Sequence, residues 1–265
     1  MRNKFEKQLD QLNESLIQMG SLCEDCISQV AMAMAGKKQI DQSERTDEGK
    51  AEGRDGSSEP SGQNAEPKAA LSSDGQEMTA RLLEKVYHTE SEIDQMERDI
   101  EALCLKLLLQ QQPVASDLRL ISAALKMISD MERIGDQCSD IADIVNFLDD
   151  QKALGLESSV HIQDMAVATM RMVTKAVDSF VSKNLVVAIG VMQADDQVDM
   201  LFEKVKKEIT ELIAEHPDQG EAMLDLLMIA KYFERIGDHA TNIAEWVEFS
   251  ITGTHEAKLK YQKQV

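Results

Sequence analysis

The chain has 265 residues, of which 43% are hydrophobic, enough for one or two cores, and only 4% are aromatic. Leu, Met, Ala, Glu, Lys and Gln abound, which favours helices over sheets. The formal net charge of −20 argues against a nucleic-acid partner, because the phosphate backbone would repel this surface. That charge suits metal cations or a basic protein partner, although solubility alone accounts for most of the acidic residues.

The N-terminus is charged from Arg2 onward and has no apolar stretch of signal-peptide type. The longest apolar runs, such as 185–192, are far shorter than the ~20 residues of a membrane helix. We therefore expect a cytoplasmic protein without direct membrane insertion. A CxxC pair occurs at Cys23 and Cys26, but neither a second pair nor a nearby His completes a zinc set, so free thiols are expected.

Apolar spacing at threes and fours predicts helices at about 3–36, 78–111, 117–150, 158–191, 194–215 and 219–251. Residues 41–77 are rich in Gly, Ser and acidic residues, which predicts a disordered acidic insertion. Pro113 and Pro217 separate helices, since proline cannot continue a helix interior.

The helices fall into two sets of three, which predicts an all-α fold of two tandem three-helix bundles. The first repeat covers 1–150 and the second 151–255, followed by a C-terminal tail at 256–265. The evidence is an internal repeat: Glu132-Arg-Ile-Gly-Asp136 recurs letter for letter at 234–238, an offset of 102 residues. The preceding helix repeats at an offset of 105, which pairs Glu90 with Asp195 and Asp94 with Asp199.

The repeated acids continue an apolar stripe. A helical residue turns about 100°, so Ile121, Leu125 and Ile128 lie nearly in line with Glu132 and then Asp136. Carboxylates on such a core-directed face must be paired, protonated or bound to metal. Gly135 and Gly237 lie mid-helix between them, where glycine costs about 1 kcal/mol relative to alanine, which predicts the close approach of a neighbouring helix or ligand.

Packing the two acidic helices of a repeat together would converge four carboxylates into an all-oxygen metal site, with bridging carboxylates if more than one ion binds. Divalent or trivalent ions are expected, iron or zinc first, then manganese, magnesium or calcium. The candidate ligands are Glu132, Asp136, Glu234, Asp238, Asp94, Asp199, Glu90, Asp195 and Asp140. The alternative is a solvated acidic face paired with Arg133 or Arg235. His239 points about 100° away from Asp238 and is expected to be a surface or supporting group.

The doubled pentad with its flanks resembles the Glu/Asp-x-x-x-Asp signature of the PhoU family. Residues 112–119 (QPVASDLR) are similar to the segment that introduces the family's first signature helix, and residues 1–20 are similar to a PhoU N-terminus. The resemblance covers about 3–36 and 78–251, and the acidic insertion departs from the family pattern.

This resemblance implies two three-helix bundles, usually dimeric, that bind multinuclear metal clusters. The family's metal motif falls on Glu132 and Asp136, on Glu234 and Asp238, and then on Asp94 and Asp199. It also implies a regulator that damps phosphate uptake and the phosphate-starvation response. The implied partners are the ATP-binding subunit of a phosphate ABC transporter and a sensor histidine kinase.

Two other functions compete with the adaptor. The first is a carboxylate-bridged metal hydrolase or oxidase, which the absence of Glu-x-x-His and of any nucleophile–base set disfavours. The second is a purely structural helical scaffold, which leaves the duplicated in-line acids unexplained. The sequence therefore predicts a metal-binding phosphate-signalling adaptor that is not an enzyme.

Overall fold

Helices form the regular structure of this computed structural model, which describes residues 2–48, 73–111, 113–150 and 160–254. The described part contains no strand, and the predicted all-α class is confirmed. A short 3-10 turn at Pro217–Gln219 separates the last two helices. The α-helices are α1 Arg2–Glu48, α2 Ser73–Gln111, α3 Ala115–Asp150, α4 Ile162–Val181, α5 Leu185–Glu215 and α6 Gly220–Thr252.

The break between α4 and α5 lies about ten residues earlier than predicted. Helix α4 ends at Val181, and the side chain of Asn184 caps α5 by accepting hydrogen bonds from the backbone N–H groups of Val186 (3.1 Å) and Val187 (3.3 Å). Lys183 adopts a left-handed φ of 50° in this turn. The prediction of one helix over 158–191 was wrong because the apolar run at 185–192 continues the helical pattern across the turn.

Both ends of the predicted acidic insertion are helical. Helix α1 continues to Glu48 and α2 begins at Ser73, so 41–48 and 73–77 do not form the expected irregular segment. The remainder, 49–72, lies outside the described residues, as does the predicted tail at 256–265, and disorder there stays a prediction. None of the helices in the described ranges combines the length and apolar character that crossing a membrane would require.

Helices α1–α3 form one bundle and α4–α6 a second, and the two share a continuous apolar core. They meet where α3 packs against α6 and α1 against α4. In α6 the largest fully buried side chain, Phe233, directly precedes the repeated acidic motif, so core packing fixes the helix that carries the acids. The cysteines Cys23, Cys26, Cys104 and Cys138 are buried free thiols, and burial raises the pKa of Cys104 to about 12.

Helices α3 and α6 lie antiparallel across the junction between the bundles. The Asn242 side-chain amide donates to Asp130 Oδ1 (3.0 Å). Tyr232 lies beside Asp140, and burial, followed by the charge of Asp140, raises the pKa of Tyr232. Tyr232 and Asn242 lie 102 residues after Asp130 and Asp140, respectively, so the two contacts are equivalent under the internal repeat. The duplication therefore generates a pseudo-twofold axis at this crossing.

Helices α1 and α4 also cross antiparallel, at a point that requires glycine. A Cβ added at Gly20 would lie 2.9 Å from Val177 Cγ2 and 3.0 Å from Val177 Cγ1. Gln163 fixes the same pair of helices further along by donating to the Ala31 carbonyl at 3.1 Å. The close approach at Gly20 therefore sets the spacing between the bundles on this side.

We expect Gly20→Ala to lower the free energy of unfolding by about 1–2 kcal/mol, because overpacking costs up to about 3 kcal/mol and the ~1 kcal/mol that alanine gains in a helix offsets only part of it. Gly190 in α5 is a matched control, since an added Cβ there would meet nothing within 4 Å. Gly190→Ala should leave the melting temperature unchanged or raise it. Adding Val177→Ala to Gly20→Ala should restore part of the loss, and purely additive thermal-melt effects would contradict the proposed clash.

Candidate metal centres

The repeated acids lie in two sets, each between the two helices of its repeat that carry them. Centre I joins α2 to α3 and consists of Glu90, Asp94, Glu132 and Asp136. Centre II joins α5 to α6 and consists of Asp195, Asp199, Glu234 and Asp238. In the upstream stripe Ile121 and Ile128 are at most 1% exposed, as predicted, whereas Leu125 is only partly buried. The acids themselves lie where that stripe leaves the core: they are half-buried, except Asp199 and Asp238, which are exposed.

The mid-helix glycines face the neighbouring acidic helix in each repeat. A Cβ at Gly135 would lie 3.3 Å from Ile93 Cδ1, and one at Gly237 would lie 3.4 Å from Val198 Cγ1 and 3.5 Å from Asp195 Oδ1. Ile93 and Val198 are equivalent positions at the 105-residue offset. The predicted close approach of a neighbouring helix is therefore confirmed in both repeats.

Centre I brings three carboxylates together. Glu90, Asp94 and Asp136 each offer one oxygen, and these oxygens all lie within 4.8 Å of one another. Partial burial, followed by the charges of Asp94 and Asp136, raises the pKa of Glu90. Partial burial also raises the pKa of Asp136, with further increases from Asp94 and Asp140, against the lowering effect of Arg133. A bound cation would relieve this repulsion.

Glu132 lies outside that group of three oxygens although the sequence predicted it as a ligand. Its pKa is raised by partial burial and then by Asp136 and Glu97, while Arg133 lowers it. Nε of Arg133 lies 3.9 Å from Oε2 of Glu132, and the Arg133 side chain is 59% exposed. The Glu132 carboxylate therefore lies next to the group of three oxygens but is not part of it.

Centre II is less closely gathered, and its acids do not form a comparable group of three oxygens within the described ranges. Burial, then the charges of Asp238 and Asp199, raises the pKa of Asp195 to about 6. The pKa values of Asp199 and Asp238 are also raised, first by partial loss of solvent and then by Glu234. The four acids thus repel one another even though they are further apart.

Asp140 and His239, the remaining acid and the histidine of interest, both lie at the α3–α6 crossing. Asp140 lies beside Tyr232, and its charge also reaches Asp136. His239 Nδ1 lies 2.9 Å from Asp130 Oδ1, and its side chain is 16% exposed. The structure therefore places these two residues between the repeats, where His239 supports the crossing.

The donor set fits a hard metal ion. The eight acids that define the two centres offer only carboxylate oxygens as ligand atoms. All-oxygen ligand sets suit magnesium, calcium, manganese and iron. Zinc, expected alongside iron, generally takes nitrogen or sulfur ligands, so the set suits zinc less well. At centre II the Lys231 ammonium contacts Glu234, so this site already accommodates a positive charge. The solvated alternative explains only part of the arrangement, since burial and like charges raise most of these pKa values.

The profile of the PhoU domain family matches residues 70–145 and 162–247, which contain both centres. The chain belongs to the PhoU family. It is 29% identical over 253 residues to a phosphate-specific transport system accessory protein PhoU homolog of Clostridium acetobutylicum, covering 95% of this chain and 96% of that protein. A homolog of Deinococcus radiodurans bearing the same name is 33% identical, covering 67% of this chain and 82% of that one.

Solved PhoU structures have the same fold. The crystal structure of PhoU from Pseudomonas aeruginosa matches with a TM-score of 0.72 and 27% identity, covering 94% of this chain and all of that one. PhoU from Streptococcus pneumoniae, a phosphate transport system regulatory protein, matches with a TM-score of 0.69 at 24% identity, which supports the fold alone.

Sequence reasoning missed several residues around the PhoU signature acids. Lys231 beside Glu234, Glu97 beside Glu132, and Asp130 at the α3–α6 crossing were not singled out. The internal repeat contained the signal for all of them. The same sequence offsets align Lys231 with Ser129, Tyr232 with Asp130, and Phe202 with Glu97. Comparing the unlike positions of the repeats, as well as the identical ones, would have found them.

Proposed function

We propose that this protein is a metal-binding regulatory adaptor that restrains phosphate uptake and phosphate-starvation signalling. The observation that carries the proposal is the doubled acidic arrangement: in each repeat the PhoU signature acids lie where two helices pack together, beside a mid-helix glycine that faces the neighbouring helix. Relatives named as phosphate-specific transport accessory proteins support the phosphate role. The clustered carboxylates support the metal role.

In this proposal each centre holds one or more hard cations, iron or manganese first, and centre I uses Glu90, Asp94 and Asp136. The bound ions would neutralise the acids and so fix the α2–α3 and α5–α6 contacts. Asp195, Asp199, Glu234 and Asp238 would hold the ions of centre II. The metal would thus act on the shape and charge of the surface that a partner meets.

The expected partners are the ATP-binding subunit of a phosphate ABC transporter and a sensor histidine kinase, met in the cytoplasm by a homodimer of this chain. The strong excess of acidic residues favours a basic partner surface. Association should weaken as salt rises, because screening shortens the range of these charges to about 8 Å at physiological ionic strength. A metal hydrolase or oxidase is the less favoured alternative, since the relatives are named as accessory proteins and the group of three ligand atoms at centre I includes no histidine nitrogen.

The deciding experiment is genetic. Deleting the gene should leave phosphate-starvation genes switched on when phosphate is plentiful, and the wild-type gene should restore repression. A tagged protein should recover transporter or kinase components from low-salt lysates and lose them at high salt. Normal phosphate control after deletion, with no such component recovered, would refute the adaptor. Metal-dependent turnover of a phosphate ester or of oxygen by the purified protein would then support the enzyme.

A further inference from the structure

The two centres differ at the positions that flank their shared acids. One turn before Glu132 in centre I stands Ser129, whereas the equivalent position before Glu234 in centre II holds Lys231. On the partner helices, Glu97 in the first repeat is replaced by Phe202 in the second. In centre I the Ser129 hydroxyl donates to Glu97 Oε1 at 3.1 Å, so an acid and its hydrogen-bond donor stand where centre II has a cation and a ring.

Lys231 is held on two sides. Its ammonium contacts a carboxylate oxygen of Glu234, whose side chain is only 15% exposed, and it lies 5.4 Å from the centroid of the Phe202 ring. A lysine over an aromatic face gains about 0.5–1 kcal/mol or more from the ring quadrupole. The charge of Lys231 also reaches Asp199 and Asp238, where it offsets part of the rise in pKa that burial and Glu234 cause. One ammonium thus acts on three of the four acids of centre II.

The cations near centre I are held less closely. Arg98 lies 3.6 Å from Asp94 and Arg133 lies 3.9 Å from Glu132, and both arginine side chains are nearly 60% exposed. Exposed ion pairs at these distances contribute about 0–1 kcal/mol, so the arginines can turn to solvent at little cost. The three gathered oxygens of Glu90, Asp94 and Asp136 therefore face an incoming metal ion without a cation fixed among them.

We propose that Lys231 is a tethered cation that occupies the metal position beside Glu234 and so makes centre II the weaker metal site. Metal must displace the ammonium from Glu234 and Phe202 before that carboxylate can bind it. Centre I therefore fills first and centre II only at higher metal concentration. This inference rests on the metal-binding part of the proposed function and assigns Lys231 as a residue that sets the relative affinity of the two sites.

The test is titration of the metal-free full-length protein with Mn²⁺, following free Mn²⁺ by its electron paramagnetic resonance signal. Asp136→Asn and Asp238→Asn assign the binding steps to centres I and II. Lys231→Met removes the charge but keeps an apolar chain against Phe202, and it should tighten the weaker step on the order of tenfold. Lys207→Met is the control, because Lys207 is an exposed lysine paired with Glu211 further along α5 (3.8 Å), and it should change neither step.

The reciprocal variant Ser129→Lys introduces the cation into centre I and should weaken the tighter step. The inference is overturned if wild-type centres bind Mn²⁺ equally, or if Lys231→Met leaves centre II unchanged or weaker while the variant melts like the wild type. It is overturned together with the metal-binding proposal if no variant binds Mn²⁺ at either centre. Tight binding at centre I with no response to Lys231→Met leaves the proposed function standing and removes only this inference.

Discussion

Asp136→Asn should empty centre I while centre II still binds metal. Asp136 contributes one of the three oxygens that lie within 4.8 Å of one another, and asparagine keeps its shape but replaces a charged carboxylate with one neutral oxygen. Loss of a residue that merely supports a metal ligand costs about 10–100-fold in affinity, so loss of a ligand should cost more. Elemental analysis of protein dialysed to equilibrium against enough metal to fill both wild-type centres is the measurement, and it should show the metal content of centre II alone.

Two neighbouring substitutions sharpen this prediction. Glu132→Gln should weaken centre I less than Asp136→Asn, because Glu132 lies outside the group of three oxygens. Asp140→Asn is the control on the same helix, since Asp140 lies beside Tyr232 and outside the group of three oxygens, and it should leave metal content nearly unchanged. Loss of both centres on Asp136→Asn, or an equal loss from all three substitutions, would contradict the assignment of two separate centres.

The sequence allowed the placement of the acids to be predicted because helical geometry leaves little freedom. Residues at three- and four-residue spacing share a face of a helix. An exact repeat of five residues at an offset of 102 therefore predicts that the two helices place their acids in equivalent positions. Gly135 carried the remaining information, since a costly mid-helix glycine indicates a close neighbour, and Ile93 is that neighbour.

Other features depend on choices that residue spacing does not determine. The turn at 182–184 contains neither Gly nor Pro, so only the Asn184 cap separates α4 from the apolar run that follows. Composition averaged over 41–77 was dominated by its Gly-rich middle, whereas 41–48 contains neither Gly nor Pro and continues α1. The direction of the Glu132 side chain depends on its rotamer, whereas residue spacing predicts only the helix face on which the residue lies.

The stability of the metal-free protein should rise as the pH is lowered from 7 to about 5. The pKa of Asp195 is raised to about 6, whereas an ordinary aspartate in the unfolded chain titrates near 3.8. The folded state therefore binds more protons than the unfolded state between these values, so this contribution is complete below about pH 4 and is lost as the pH rises through 6. The raised pKa values of Asp136, Asp199 and Asp238 act in the same direction.

Metal should reverse this dependence, since the ion binds the deprotonated carboxylates and competes with protons for them. Metal-loaded protein should therefore lose stability on acidification, while chelator-treated protein gains it. In chelator-treated protein, Asp195→Asn should raise the pH 7 melting temperature by about 2–4 °C, corresponding to about 1 kcal/mol after discounting for solvent at this half-buried site, and should flatten the pH dependence. Asp10→Asn, an exposed substitution on α1, is the control and should melt like the wild type at every pH. If chelated and loaded proteins respond to pH with the same sign, the clustered carboxylates of these centres are not the groups that bind the metal.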